Sequence, residues 1–387
     1  SYVGAFGSFL NQAGTQGRRA SVGAVDGGWA SPDRSWRVEG IVAHSAAGPK
    51  GEGRRGSLAR IQLKGAWAPG WTLDANAFSI GRAFNPNDLG YLDRPDRKGF
   101  TFDLDRRWEG QHGALRNPML RLNYCEFRDQ AGMPFLRYGE SFLRTEFASE
   151  VVLHVGGGGQ VDTWDDRELR TFQAPVKRYL RLPPAQWAFV SVDTPPNAAW
   201  AGSLMLTRVW REGGPKHELR ATQVIKPTPR AEIRLETGFT RAEGEWHWME
   251  TQGETPLVGL RKLTEFDQVL RLAYAFSPTL TVQVFSQWLA ASWAFRDPHH
   301  WVDDRTLQPG AAPEGPTAAS DRLWNLNLTV RWEVQPGCSA YLVTTHGAWT
   351  DELVNDRGTL SPRRDLARLQ HLPSDRSVQL KLSWLFR

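Results

Sequence analysis

The end of the chain alternates between apolar and polar side chains more regularly than any other stretch. In residues 376–387, one set of alternate positions holds Val378, Leu380, Leu382, Trp384 and Phe386. The positions between them hold Ser377, Gln379, Lys381 and Ser383, and Leu385 is the one apolar exception. Because successive side chains of a β-strand point to opposite sides, this pattern predicts a strand with one apolar face and one wet face.

Large aromatic residues at a chain end restrict where such a strand can lie. A soluble edge strand rarely places Trp and Phe where the chain frays. A transmembrane barrel must pair its last strand to close, and it carries aromatic residues at the membrane interface. The pattern therefore predicts an outer-membrane β-barrel. Its closing strand presents Val378, Leu380, Leu382, Trp384 and Phe386 to lipid and Gln379, Lys381 and Ser383 to the lumen.

Composition agrees with strands that cross a membrane and excludes helices that do. Apolar residues make up 40% of the 387 positions, mean hydropathy is −0.47, and no run approaches the roughly 20 apolar residues that a membrane helix needs. Alternation lowers the hydropathy of a spanning strand without preventing it from crossing. The 18 Trp residues suit membrane interfaces, where the ring is apolar and its N–H stays hydrated.

The same alternation recurs along the chain between turns rich in Gly and Pro. Examples lie at residues 59–67, 270–276 and 326–334. We expect one domain over residues 1–387, an all-β antiparallel transmembrane barrel of about 16–18 strands. Breaks in the alternation predict long loops near residues 84–98, 162–184, 296–320 and 351–375. The loop at residues 84–98 could fold into the lumen, but a solvated surface loop is the favoured interpretation.

The charge pattern bears on partners. Net charge is +5, but the basic residues are scattered singly along strands, as at Arg60 and Lys64. This arrangement argues against a nucleic-acid partner and predicts a lumen rich in Arg and Lys. The expected partners are the lipid bilayer and other chains of an envelope complex, and no cofactor is expected.

Catalytic and metal-binding motifs are weak. Asp165, Asp166 and Glu168 offer paired carboxylates for hydrolysis, although the interleaved arginines suit a salt-bridged loop equally well. His299, His300, Asp303 and Asp304 could gather a metal ion, but adjacent side chains on a strand point oppositely. Cys125 and Cys338 lack the spacing of a metal site or a disulfide framework. We therefore assign no catalytic or metal site and keep these as weak candidates.

Three functions remain open from these patterns. The first is an outer-membrane barrel that acts as a pore, scaffold or membrane anchor. The second is a membrane-embedded hydrolase that uses the carboxylate or His loops. The third is a soluble, Trp-rich carbohydrate-binding β-protein, in which Trp246 and Trp248 stack on sugars and the apolar faces of the strands pack against each other.

Several runs resemble a bacterial family of unknown function. They lie at residues 164–170, 271–287, 331–337, 365–369 and 381–384, with a looser match at residues 84–91. That family couples a family-nine-like carbohydrate-binding domain to a predicted outer-membrane barrel, and this chain resembles the barrel part. The matching runs are hairpin motifs, so the resemblance implies a barrel and no chemistry.

Two features of the chain's start bear on how a barrel would close. The resemblance implies a preceding binding domain and earlier strands, and residues 2–10 alternate poorly. We expect either that the closing strand pairs with residues 2–10 or that the first strands lie upstream or on another chain.

Overall fold

The computed structural model describes residues 1–11, 18–49, 54–87, 92–169, 177–313, 315–352, 360–369, 371 and 374–384. The chain divides into two compact units. The first consists of Ser1–Thr145, Gly156–Asp165 and Arg181–Pro184. The second consists of Glu146–Val155, Asp166–Leu180 and Ala185–Arg387.

The first part of the chain is a succession of antiparallel hairpins. Its strands are β1 (Tyr2–Asn11), β2 (Arg18–Ala30), β3 (Trp36–Pro49), β4 (Arg54–Ala68), β5 (Trp71–Ile80), β6 (Arg97–Arg107), the two-residue β7 (Gln111–His112), β8 (Leu115–Arg128) and β9 (Pro134–Phe147). Each of β1 to β5 pairs with the strand that follows it, and β6 pairs with β8.

The rest of the chain continues the pattern with longer strands. These are β10 (Val152–Gln160), β11 (Thr163–Asp165), β12 (Leu180–Leu182), β13 (Ala185–Asp193), β14 (Trp200–Arg211), β15 (Lys216–Thr228), β16 (Ala231–Gln252), β17 (Thr255–Ser277), β18 (Leu280–Asp303), β19 (Thr306–Pro309), β20 (Ala318–Gln335), β21 (Cys338–Glu352) and β22 (Ser374–Ser383). From β13 to β18 each strand pairs with the next, and β18, β20, β21 and β22 then pair in that order.

All pairings in these hairpins are antiparallel, which confirms the predicted all-β antiparallel fold. Among the described residues, 18 strands have nine residues or more, within the expected range. In the second unit, the turns at residues 229–230, 278–279 and 336–337 are only two residues long. At the opposite strand ends, residues 304–317 (with β19) and 353–373 (with α1) form longer connections, whereas the turn between β16 and β17 at residues 253–254 is again two residues long. Short turns at one end and long connections at the other are typical of outer-membrane strands.

Two of the predicted loops are more structured than expected. β18 continues to Asp303 and forms a hairpin with β19, so irregular backbone occupies only part of residues 296–320. Within residues 351–375, the short helix α1 (Pro362–Leu369) begins after Ser361, whose N–H is satisfied by the Asp365 carboxylate at 3.0 Å. Pro at the first helical position and such a cap are standard helix starts. No described helix has the length and apolar character needed to cross a membrane.

Large apolar side chains are mostly not in a core. The buried hydrophobic residues of the described chain include nine alanines, whereas Val3, Phe6, Val378, Leu380 and Leu382 are each more than 60% exposed. A β-sandwich would bury such side chains between two sheets. The exposed apolar faces are therefore not what a soluble β-sandwich predicts.

Candidate functional site

A row of hydrogen-bonded polar side chains runs across one face of the first unit. Strand register aligns Lys64 with Asp74, Asp74 with Asp103, and Asp103 with Asn123. Lys64 Nζ lies 3.2 Å from Asp74, and Asn123 donates to Asp103 at 2.7 Å. Further along the same face, Arg121 donates to both carboxylate oxygens of Asp105, at 2.6 and 2.7 Å. Every strand from β4 to β8 except β7 thus contributes to one polar surface.

The second unit has an equivalent polar face. Arg220 forms ion pairs with Glu218 on its own strand and with Asp267, at 2.8 and 3.5 Å. Gly238 lies in register between Arg220 and Asp267, and a Cβ there would come within 2.1 Å of the Asp267 carboxylate. Glycine at this position therefore leaves room for the cross-strand pair. Two more pairs on this face are Arg234–Glu236 at 2.7 Å and Arg331–Glu333 at 3.0 Å.

The opposite face of the second unit is apolar. One register row across its last strands consists of Leu380, Leu342, Val330, Val282 and Tyr274. Val378, Leu380 and Leu382 of β22 lie on this face and are 72%, 69% and 69% exposed. Gln379 and Lys381 project to the polar side, in register with Val343 and Tyr341. The predicted separation of faces is thus present in β22, whereas its contact with lipid and lumen stays a prediction and Phe386 lies outside the described residues.

The first unit also has an exposed apolar face, and small residues indent it. Val3, Gly27, Gly40, Ile61 and Ala77 follow one another in register across β1 to β5. They line a shallow groove of about 600 Å³. Val3 is 84% and Ile61 55% exposed.

Several Trp residues lie near the short-turn ends of the strands. In the first unit, Trp67 and Trp71 flank the turn at residues 69–70 and stack with ring centroids 5.5 Å apart. In the second unit, Trp332 lies just before the turn at residues 336–337, and Trp384 follows β22; they are 52% and 54% exposed. Such a band is what an interfacial aromatic girdle requires.

A charged cluster lies where β16 and β17 extend past the end of β15. Glu168 Oε1 is 2.7 Å from Nδ1 of His247, and Glu245 Oε2 is 3.3 Å from Nε2 of the same ring. Glu245 also pairs with Arg211 and, at 3.3 Å, with Arg261. The imidazole is therefore held between two carboxylates that two guanidiniums partly neutralise.

A β-bulge directs this cluster to the polar face. Between Ala242 and Glu245, β16 has one residue more than the facing segment of β17, and Gly244 takes φ +82°. A bulge of this kind reverses the alternation of side chains. Glu245 and His247 therefore continue the face of Ala242, while Trp246 points to the other side.

The pKa values in this cluster follow from its geometry. Burial raises the pKa of Glu168, but the hydrogen bonds from His247 and the Trp248 N–H and the charges of His247 and Arg261 together outweigh it, so the net pKa is below its usual value. For Glu245, burial is again outweighed by His247 and Arg211, and the pKa is well below its usual value. Burial lowers the pKa of His247, but the bonds to Glu168 and Glu245 raise it above its usual value overall. Both carboxylates thus favour the imidazolium.

The carboxylates proposed from the sequence lie in separate structural contacts. Asp165 ends β11. Asp166 is buried and forms an ion pair with Lys177 at 2.9 Å, with both side chains more than 90% buried. Glu168 accepts hydrogen bonds from His247 and from the main-chain N–H of Trp248, at 2.7 and 3.2 Å. The ion pair joins residues 166 and 177, and the Glu168 contacts hold this segment to β16.

The His and Asp candidates for a metal site are spread over four contacts. In the pairing of β18 with β17, His299 is in register with Val258, and His300 is in register with Leu257. His299 Nδ1 is 2.8 Å from the carbonyl oxygen of Asp297. Asp303 accepts from the main chain of Arg305, and Asp304 from that of Tyr179. Among the residues that the structure describes, no three His, Cys, Asp or Glu side chains form a group suited to a metal ion.

Sequence reasoning missed His247 and Glu245. It singled out Trp246 and Trp248 for their rings and passed over the polar residues that alternate with them. The Glu-x-His spacing does indicate that the two side chains share a face. The partner Glu168 is 79 residues away in the chain, so no local signal could have joined it to them.

The chain is thus an all-β protein of antiparallel hairpins. Its strands have one ion-paired face and one exposed apolar face. A family model described as "Domain of unknown function (DUF5916)" matches residues 10–384, and the chain belongs to this family. The expected membership of a family of unknown function is thereby confirmed, whereas the pairing with a carbohydrate-binding domain stays a prediction.

No curated protein sequence matches the chain. Among solved structures, it is similar to the ferric enterobactin receptor PfeA of Pseudomonas aeruginosa, with TM-score 0.48 and 11% identity over 93% of this chain and 70% of that one. It is also similar to the siderophore receptor PirA of Acinetobacter baumannii, with TM-score 0.48 and 8% identity over 98% of this chain and 73% of that one.

Proposed function

We propose that this chain is a transmembrane β-barrel of the bacterial outer membrane and that its polar faces line a passage for small polar solutes. The observation that carries the proposal is the separation of polar and apolar faces. Within each unit, consecutive strands align ion-paired side chains on one side and exposed Val, Leu, Ile and aromatic side chains on the other. A soluble monomer rarely leaves so much contiguous apolar surface in water.

The bilayer explains this arrangement. Lipid solvates apolar side chains, and a polar lumen solvates the paired charges. Hydrocarbon cannot satisfy an open strand edge, because each unpaired N–H or C=O costs several kcal/mol there. We therefore propose that β22 and β1 are paired in the membrane, with each other or with further strands.

The chemistry of the lining differs from the basic lumen predicted from sequence. On both polar faces, Arg and Lys side chains lie against carboxylates, as in Arg121–Asp105 and Arg234–Glu236. We propose a lining of mixed charge with little preference for the sign of a solute. Such a lining favours hydrated neutral and zwitterionic molecules over polyanions.

Two measurements test the proposal. Fractionation of expressing cells should place the folded protein in the outer membrane, and detergent should be needed to extract it. The purified protein should then produce discrete conductance steps in planar lipid bilayers. Recovery of the folded chain as a monomer in detergent-free buffer would overturn the membrane assignment. If the protein inserts correctly but shows no conductance, the proposal of a passage is wrong, and a scaffold or membrane anchor is the function that remains.

A further inference from the structure

A connection in the first unit folds back over the polar face instead of extending away from it. The position of Gly56 fixes this direction. A Cβ on Gly56 would come within 2.0 Å of the Phe84 nitrogen and 2.3 Å of the Ala83 carbonyl carbon. Gly56 is in register with Ser45, which lies on the same face as Glu39 and Arg37. Residues 83–84 thus lie on the side of the sheet that carries the charged row.

Both main-chain and side-chain contacts hold this connection in place. The Asn85 N–H donates to the buried Ser45 hydroxyl at 2.8 Å, and the Gly81 N–H donates to the Ser57 carbonyl at 2.8 Å. Phe84 is only 4% exposed and packs with Ala43 and Ile80. Phe84, within the predicted loop at residues 84–98, is therefore buried against the sheet, whereas Asn85 and Asn87 beside it are exposed.

The strands beneath the connection are adapted to it. Three positions beneath it are small, namely Ala43, Ser45 and Gly56. Large side chains there would occupy the space that the main chain now fills. The end of the connection is also fastened, since Asp96 accepts from the main chain of Gln130 at 3.3 Å, and the Gln130 amide donates to the Ile80 carbonyl at 2.9 Å.

We propose that residues 81–87 form the size-limiting constriction of the polar passage. This inference rests on the proposed function. The segment lies over the polar face at the strand ends opposite the short turns, so a solute must pass it. Its covered Phe84 and its main-chain anchors make it a fixed wall, and a fixed wall selects by size.

Two variants test the constriction in the full-length protein in planar bilayers. Gly56→Val places a side chain where the Ala83–Phe84 backbone now lies and should displace it. Single-channel conductance is expected to rise about twofold, because it follows pore diameter, and vesicles should admit larger neutral oligosaccharides. Gly23→Val is the matched control, since a Cβ on Gly23 meets no atom within 4 Å, and its conductance should equal that of the wild type.

The second variant keeps the strand intact in case Gly56→Val does not fold. Asn85→Cys, treated with a bulky methanethiosulfonate reagent, should lose about half its conductance by narrowing of the pore. The wild type treated alike is the control, because Cys125 and Cys338 are buried. If conductance is unchanged in the variants that fold, residues 81–87 do not form the constriction, and the proposed passage itself is unaffected. Absence of conductance from the wild type would instead overturn the proposed function.

Discussion

The carboxylate of Glu168 lies 2.7 Å from the imidazole of His247, although the two residues are 79 positions apart in the chain. Glu168 also accepts the main-chain N–H of Trp248 at 3.2 Å. Because β15 pairs with β16 only as far as Ala242, this edge of β16 needs another partner. Residue 168 supplies it, so the His–Glu contact fastens a connection to the hairpin of β16 and β17.

This contact should depend on pH with a defined sign. The pKa of His247 is raised in the folded state, so its contribution is fully present below the unfolded pKa of about 6.5 and is lost as pH rises through the folded value. The pKa values of Glu168 and Glu245 are lowered, so their contribution is present above about 4.3 and is lost as pH falls through the folded values.

We therefore expect maximal protection of the Trp248 amide between about pH 4.3 and 6.5 and weaker protection in alkaline buffer. Hydrogen exchange corrected for the intrinsic rate at each pH measures it. His247→Gln should remove the alkaline loss, whereas His112→Gln, far from the cluster in sequence and exposed, should keep it. Protection that does not change with pH in the wild type would contradict this role.

The faces of β22 can be tested with one charge placed at neighbouring positions. Leu380 belongs to the apolar row with Leu342 and Val330, while Gln379 projects to the polar side. Leu380→Arg should lower the free energy of unfolding by about 2–4 kcal/mol if lipid covers that row near the bilayer midplane. Gln379→Arg should cost far less, because the polar face already holds ion pairs. Reversible urea unfolding in lipid vesicles gives both values, and equal losses would refute the assignment of faces.

A buried ion pair holds α1 to the sheet. Arg322 Nε lies 3.2 Å from Asp365, and both side chains are more than 90% buried. Asp365→Asn leaves the guanidinium without its counter-ion and should cost about 3–5 kcal/mol.

Replacing both partners, as Arg322→Met with Asp365→Asn, should restore much of that loss, because no buried charge then remains. Thermal unfolding in detergent compares the three proteins. A double variant no more stable than the Asp365 single variant would argue against the ion pair as the cause.

The mixed charge of the polar face predicts weak ion selectivity. In a salt gradient the wild-type reversal potential should lie near zero. Asp103→Asn with Asp105→Asn removes two carboxylates from the row that includes Arg121 and Lys64, so the potential should shift toward anion selectivity. Strong anion selectivity of the wild type would instead support the basic lumen expected from sequence.

Alternation made the strands readable without a structure, because the side-chain period of a strand is two wherever it lies. This holds for residues 326–334 of β20 and for β22, whose apolar positions were assigned to one face from sequence. It failed for residues 296–303, where the Pro, His and Asp content predicted a loop and the structure has strand. Pairing with β17 and β19 supplies the main-chain hydrogen bonds there, and a local pattern does not contain that pairing.

The bulge beside Gly244 shows a second limit. A strict period of two would place His247 on the face of Arg241, whereas the extra residue at the bulge moves it to the face of Ala242. The small residues Gly56 and Ser45 show the same limit. Nothing in their local sequence predicts that the main chain at residues 83–85 covers them.

The sequence by itself determined most of the strands and the apolar side of most of them, because both follow from the local geometry of an extended chain. Only the tertiary structure decided that Glu168 meets His247, that Asp365 neutralises Arg322, and that Phe84 lies over Gly56. These contacts join parts of the chain that are distant in sequence, so their partners are set by the order and register of the hairpins. Register is a property of strand pairs, and no single strand encodes it.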